Sequence, residues 1–499
     1  MKIYKFLIAA MAVLMFIPSC SEDFLEAEQT GNLDSETASE LASKDPESLN
    51  AYLRGAWAFM VQYSVSGSGS HDDFSYMSVL HSTDMMCEDI TMMAAHWFSY
   101  DYELDNREYN YRRTNVNWRT FYTIIAKANE IIGFFPEEPV SAGSRGILGQ
   151  GYALRGMAYY YLIQLYQNVV KADGSLNLTA PGVPMIYNDV DQLSEDEQNK
   201  RKGRNTVSDV FAQIESDLTK AVTYLNGYTR PSKIYINLGV ANGLLARYYL
   251  LTQQWDKAAS AAKAAQTGFT IMGESGLHDG FYDIENTEWM WGFDHNAETQ
   301  TTYASFFSHI SNLTPGYAGL SYAPRGIDAR LYSFISETDY RKSLFNGPDG
   351  DASQPTSGAR RPYASLKFGN KGDWTMDYVY MRAAEMVLIE AEALAHLGRG
   401  AEAATALQKL MAKRDPEWSK ESVDVEDVYL QRRIELWGEG FGYFDLKRLN
   451  KGIDRSYEGS NHLTGYKKVV PAQDKAWIYQ IPIAEMQENK YISDGEQNP

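Results

Sequence analysis

The sequence predicts a mostly α-helical protein: a scaffold of tetratricopeptide-like helix pairs, an irregular loop-rich portion and a few short strands. Three observations predict it. Apolar residues recur at three-and-four spacing through 47–63, 115–135, 144–168, 205–226, 237–252, 255–267, 376–397, 400–413 and 424–450, the period of a helix with one buried face. Two of these blocks, 241–258 and 386–403, match one another. In about 64–110 and 268–375 the period fades, and Gly, Ser, Asp, Tyr and Trp take over.

At the start of the chain, Lys2 and Lys5 precede an apolar run from Phe6 to Ile17 and a small Ser19, the pattern of an export signal. The run falls short of the ~18 residues that span a bilayer. Ile17-Pro18-Ser19-Cys20 is a loose lipobox, so 1–19 is expected to be a lipoprotein signal peptide and Cys20 the acylated new terminus. Residues 20–45 are polar and aperiodic, a tether. A single domain then runs over 46–499, its helical scaffold in about 46–63, 111–267 and 376–450. With Cys20 lipidated, Cys87 has no partner and is expected to be a small buried hydrophobe.

The helix pairs rest on small residues. Ala246 precedes Ala258, and Ala391 precedes Ala403, by the same interval, which lets two helices approach closely while Tyr249 or Leu394 fills the flank. Leu148 to Gln167, with Ala153 and Ala158, reads as a third first-helix. Trp289, Trp291 and Phe293 alternate, which predicts a short strand with one buried face.

Composition narrows the function. A net charge of −19 and a pI near 4.9 exclude a nucleic-acid partner. With 44% hydrophobic residues and a mean hydropathy of −0.41, the chain is a soluble globular protein. No metal-ligand spacing links the eight histidines, and no P-loop, HExxH or EF-hand loop occurs, so neither a metal nor another cofactor is expected. Gly319-Leu-Ser-Tyr-Ala323 and Gly398-Arg-Gly-Ala-Glu-Ala403 imitate catalytic and dinucleotide motifs, but both read as turns. Glu435 and Glu439, one helical turn apart near Arg432, Arg433, Lys447 and Arg448, read as a structural ion-pair network rather than an acid and base pair. Nothing compels an enzyme.

What remains is aromatic side chains on polar loops. A sugar ring has an apolar face of C–H groups and a rim of hydroxyls, which suits flat rings beside carboxylates. The candidate ligand residues are Trp97 and Tyr100 with Asp84 in the first loop region, and Tyr303, Phe306, Tyr317 and Tyr322 in the second.

Several segments in order resemble the SusD-like (RagB/SusD) family of outer-membrane nutrient-binding lipoproteins. They are Cys20-Ser-Glu-Asp-Phe-Leu-Glu26, Trp118 to Glu130, Ala153 to Tyr166, Asp339-Tyr-Arg-Lys342, Met381 to Ala393, Arg432 to Arg448 and Ile481-Pro-Ile-Ala-Glu485. The resemblance implies a helical scaffold with a ligand-binding portion on one side and an acylated Cys20 in the outer-membrane lipid, exposed at the cell surface. It implies a SusC-like TonB-dependent transporter as partner and capture of oligosaccharide or polysaccharide without chemistry. It points for ligand contact to Trp97 and to Tyr303 through Tyr322. Two other readings stay open: the same scaffold binding peptides or another non-sugar nutrient, and, on carboxylate abundance alone, a surface glycoside hydrolase.

Overall fold

An amphipathic helix has to bury its apolar stripe against a neighbour, and the helices of this chain do so serially. The computed structural model describes residues 46–135, 141–187 and 194–499. The expected signal peptide, Cys20 and the tether lie outside the described residues. In chain order the elements that matter here are α1 (Asn50–Met60), α2 (Tyr76–Met85), β1 (Ile90–Met92), α3 (Arg112–Gly133), α4 (Ala142–Tyr166), α5 (Val207–Leu225), α6 (Leu238–Leu251) and α7 (Trp255–Ala265). There follow β2 (Trp289–Phe293), α8 (Phe306–Ile310), β3 (Arg325–Ile327), β4 (Tyr378–Arg382), α9 (Ala383–His396), α10 (Gly400–Met411), α11 (Val425–Glu435) and α12 (Gly442–Arg448).

Helix α1 packs on α3, α3 on α4, α4 on α5, α5 on α6, α6 on α7, α7 on α9, and α9 on both α10 and α11. This is the expected tetratricopeptide-like scaffold, mostly α with a few two-stranded sheets. Local chemistry marks the helix starts. Thr206 with Asp209 and Asp424 with Asp427 form reciprocal capping boxes, and Asn237 accepts from the amide of Val240. Ala246, Ala258, Ala391 and Ala403 are fully buried, as their matched spacing requires. In α4 the close approach is carried further, by glycine: a Cβ on Gly156 would lie 2.9 Å from Leu218 Cγ, and one on Gly149 would lie 2.8 Å from Leu225 Cγ, both on α5.

The structure departs from expectation in three places. The helix predicted over 376–397 starts only at Ala383, because Tyr378–Arg382 pairs antiparallel with Trp289–Phe293, from Trp289 opposite Arg382 to Phe293 opposite Tyr378. An apolar run of this length reads equally as strand or helix. Both strands are buried on both faces, not on one. The helix predicted over 424–450 is two helices, α11 and α12, because Gly438 (φ 76°) and Gly440 (φ 89°) take up the left-handed region between them. Lastly, α2 stands in a region read as loop. All ten of its residues are buried, so it has no polar face to create a period.

Glu435 and Glu439 do belong to a structural ion-pair network, but with different partners from those expected. Glu435 accepts from Arg382 (2.6 Å), Arg414 (2.9 Å) and Arg341 (3.2 Å), and Glu439 from Lys367 (2.6 Å) and Arg382 (2.8 Å). Glu288 adds its carboxylate to Arg382 at 2.7 Å. Arg432 and Arg448 turn instead to Asp445 and Glu392, Arg433 to Glu88 and Asp89, and Lys447 to the carbonyls of Gln164 and Trp477. The network ties the second loop region to the scaffold. Cys87 is a free, buried thiol, and burial pushes its pKa up.

Glycine is a poor helix former, by ~1 kcal/mol against alanine, so its place inside α4 is explained by contact alone. Gly156→Leu is expected to lower stability by about 1–3 kcal/mol through overpacking. Gly465→Ala, which meets nothing within 4 Å, should be neutral. Chemical denaturation of both variants checks this, and equal stability would contradict the close packing of α4 on α5.

Candidate ligand-binding surface

Short sheets and buried polar contacts bring distant loops together. β1 pairs antiparallel with β3, Ile90 opposite Ile327 and Met92 opposite Arg325, and the amide of Met93 donates to Pro324 O (3.0 Å). The loop 93–98 therefore runs beside 317–324. Helix α8 carries the latter, since Ser308 O accepts from the amide of Ala318 (2.9 Å) and Ser308 Oγ from that of Tyr317 (3.2 Å). The third segment of the site, the turn at His71, is attached through its carbonyl, which accepts from His309 Nε2 at 2.9 Å.

On this frame Trp97, Tyr303, Tyr317 and Tyr322 meet, with His71, His96 and Trp374 among them. Tyr317 lies at the centre: its ring centroid is 5.5 Å from Tyr303, 6.3 Å from Trp97, 6.3 Å from Tyr322, 5.9 Å from His71 and 4.9 Å from His96. Its hydroxyl bonds His71 Nδ1 at 2.7 Å. Behind it, His309 stacks at 5.0 Å and 11°. Burial holds the His309 imidazole down to about 3, so the backing is neutral. Tyr303 and Tyr322 are 42% and 56% exposed, and Trp97 and Tyr317 are half-buried. Phe98 and Trp374 hold left-handed backbone (φ 68° and 64°), unusual for bulky residues. Phe98 is kept there by its buried ring, 4.6 Å from His81, and this leaves the adjacent Trp97 at the surface. Strain of this kind is tolerated where surrounding contacts over-determine it.

Beside the platform lies a cleft of about 340 Å³, lined by Asp72, His96, Trp97, Tyr100, Asn106 and Arg112 among others. Its floor is a closed set of charges. Arg112 donates to both oxygens of Asp72 (2.7 and 2.8 Å), Arg113 to Asp72 (3.1 Å) and Asp101 (3.1 Å), and Asn106 to Asp101 (3.0 Å). Burial by itself would raise Asp72, but Arg113 and Arg112 beside it hold it below the usual carboxylate range. Burial wins at Asp101, which is pushed up. Among the described residues no group of three or more His, Cys, Asp or Glu is arranged to hold a metal ion.

Two expected ligand residues lie elsewhere. Asp84 is buried in α2, where its carboxylate accepts from the amides of Gly440 (2.7 Å) and Gly442 (3.0 Å) and so secures the turn between α11 and α12. Phe306 is buried as the first residue of α8, packed edge-on to Phe307, Phe368 and Tyr378. Tyr100, 65% exposed, lines the cleft and makes no ring contact with the platform among the described residues. Sequence alone does not mark His71, His96 and Trp374: the histidines lack metal-ligand spacing, and Trp374 stands in a polar stretch between Gly372 and Tyr378.

The stacked helix pairs thus carry a half-exposed aromatic platform. Two family models match this chain, "SusD family" over 354–499 and "Starch-binding associating with outer membrane" over 63–266. The chain belongs to the SusD-like (RagB/SusD) family. Among curated relatives, SusD-like protein P2 of Formosa agariphila is 24% identical over 385 residues, 67% of this chain and 71% of its own. Among solved structures, a SusD-like carbohydrate-binding protein from Bacteroides vulgatus superposes with a TM-score of 0.75 at 24% identity, covering 91% of this chain and 98% of its own. A laminarin-binding SusD-like protein superposes with a TM-score of 0.67 at 19% identity, covering 91% and 99%. No helix among the described residues is long and apolar enough to cross a membrane.

Burial pushes the Asp84 carboxyl up to about 7, from about 4 in an unfolded chain. The folded protein therefore binds this proton more tightly than the unfolded one, so stability is full below about pH 4 and is lost as pH rises through 7. Holding this proton across the interval from about pH 4 to pH 7 is worth roughly 4 kcal/mol. Denaturation curves at pH 5 and pH 8 should show the wild type losing more stability over that interval than Asp84→Asn. Parallel losses would contradict the assignment.

Proposed function

We propose that this protein is a cell-surface glycan-binding lipoprotein that captures oligosaccharide on the aromatic platform and delivers it, unaltered, to a SusC-like TonB-dependent transporter. One observation carries the reading: Trp97, Tyr303, Tyr317 and Tyr322, from loops more than two hundred residues apart in sequence, converge on one surface and leave their rings half-exposed. A core has no use for rings left in water, whereas the C–H face of a sugar does. Family membership supports the ligand class, as does the laminarin-binding neighbour. Asp72 and Asp101 are each paired with arginine, which suits a floor for binding. A Kd between ~1 mM and ~1 μM, or about −4 to −8 kcal/mol, is within reach of a few stacked rings, and suits a ligand that is passed on.

Anchoring follows from Cys20. A single acyl chain holds a protein to a membrane only marginally, so durable residence takes a multiply acylated cysteine, the transporter, or both. Mass spectrometry of the amino-terminal peptide from outer membranes should find Cys20 acylated, and Cys20→Ser should release the protein from the membrane. An unmodified Cys20 would remove the anchor from the account.

Calorimetry with laminarin- and starch-derived oligosaccharides tests the platform. Trp97→Ala should weaken binding about tenfold or more while the variant stays folded by circular dichroism. Unchanged affinity for a sugar that binds would place the site elsewhere.

A further inference from the structure

We infer that Asp377 is a positioning residue: its carboxylate, while ionised, ties together the loops that carry Tyr303 and Trp374, so that acid loosens this half of the platform and weakens what it binds. The effect on a ligand rests on the platform reading, whereas the latch itself does not.

Strands β2 and β4 pair only as far as Phe293 opposite Tyr378. Beyond that point the chains part. Residues 294–305 run out from β2 and bring Tyr303 to the surface, and 369–377 lead from Gly369 through Trp374 into β4. The two rings meet again on the platform, their centroids 6.4 Å apart. Trp374 holds a left-handed backbone there (φ 64°), which a bulky residue keeps only when surrounding contacts fix it.

Where the strand ladder stops, the Asp377 side chain continues it. Asp377 is buried, and its Oδ1 accepts from the amide of His295 (2.8 Å) and its Oδ2 from the amide of Ile284 (2.9 Å). Its own amide donates to Tyr282 O (3.0 Å). The hydroxyl of the next residue, Tyr378, accepts from the amide of Phe306 (3.0 Å), where the Tyr303 loop ends in α8. Two consecutive residues thus grip the Tyr303 loop at both ends, and the first of them also fastens the Trp374 loop to 282–284.

This grip depends on charge. A carboxylate offers one acceptor oxygen to each of the two amides, but a carboxylic acid turns a hydroxyl toward one of them, and that bond weakens. Burial pushes the Asp377 carboxyl up to about 6, and Asp294 pushes the same way, against the amides of Ile284 and His295 and the ammonium of Lys371. Burial holds the His295 imidazole down to about 4, so it stays neutral while Asp377 titrates. Asp283, next to Ile284 in the chain, turns its carboxylate to the amide of Glu285 (2.9 Å). Asp377 is therefore ionised and latched at pH 7.5 and protonated at pH 5.

Hydrogen exchange read by mass spectrometry on the ligand-free full chain tests the latch without a sugar. Protection in the peptides that hold Ile284 and His295, corrected for intrinsic exchange, should fall about tenfold from pH 7.5 to pH 5, with a midpoint at about pH 6. Asp377→Asn sets an amide NH2 against one of the two N–H donors and should show the low protection at both pH values. Constant protection in the wild type, or a variant that keeps the wild-type pH dependence, overturns the latch; if the variant does not fold, the wild-type midpoint decides. Calorimetry with laminari- and malto-oligosaccharides then reads the consequence. Wild-type affinity should be about tenfold weaker at pH 5 than at pH 7.5, as a form competent only when ionised requires, and Asp377→Asn should lose most of that dependence. A pH-dependent latch beside pH-independent affinity overturns the role of Asp377 in binding. Trp97→Ala without effect on affinity overturns the platform reading and leaves the exchange result standing.

Discussion

The guanidinium of Arg113, in the first turn of α3, donates at once to the carboxylate of Asp101 (3.1 Å), the carbonyl and carboxylate of Asp72 (3.0 and 3.1 Å) and the hydroxyl of Ser78 (2.9 Å). It also lies over the face of Phe98, 5.1 Å from the ring centroid. Asp72 follows His71, and Phe98 follows Trp97, so one fully buried side chain of the scaffold sets the separation of two loops that supply the platform. A buried ion pair is weak evidence for stability, but removal of one partner strands the other at a cost of about 3–5 kcal/mol. Its value here is geometric. It makes the relative position of two loops as rigid as the helix that carries the arginine.

The second loop region is held by the same means. Glu288, Glu435, Glu439 and Asp339 meet Arg341, Lys367, Arg382 and Arg414 in the interior, and the balanced charges join β2, β4, α10 and α11 to loops that have no apolar period of their own. A loop without an apolar face has to be fixed by polar contacts that point inward. Those contacts release its aromatic side chains to point out. The rings of the platform are thus left free for a ligand, while buried charge fixes the position of the loops behind them.

Much of this was legible in the order of residues, and what was not has physical causes. Helices with one wet face announced themselves, as did the matched alanines at 246, 258, 391 and 403. Helix α2 did not, because a helix buried all round carries no period. The candidate surface was half legible in membership. Trp97, Tyr303, Tyr317 and Tyr322 stand on loops with no helical stripe to absorb them. Asp84 and Phe306 are chemically alike to ligand residues but turn inward, Asp84 to amides more than three hundred residues further on and Phe306 to rings that β4 and α8 bring together. Such contacts are set by tertiary structure, and local sequence has no mark for them. His71 joins the platform through a hydrogen bond to Tyr317, again a long-range partner.

A pre-formed aromatic surface held from behind by buried charge should receive its ligand without rearranging. The most direct measurement is a crystal structure of the protein soaked with an oligosaccharide that it binds. The account predicts sugar density over Trp97 and Tyr317, with Phe98, Asp72 and Arg113 in the positions described here. Density on another face of the molecule, or a platform that forms only when Arg113 gives up Asp72 or Asp101, would contradict it.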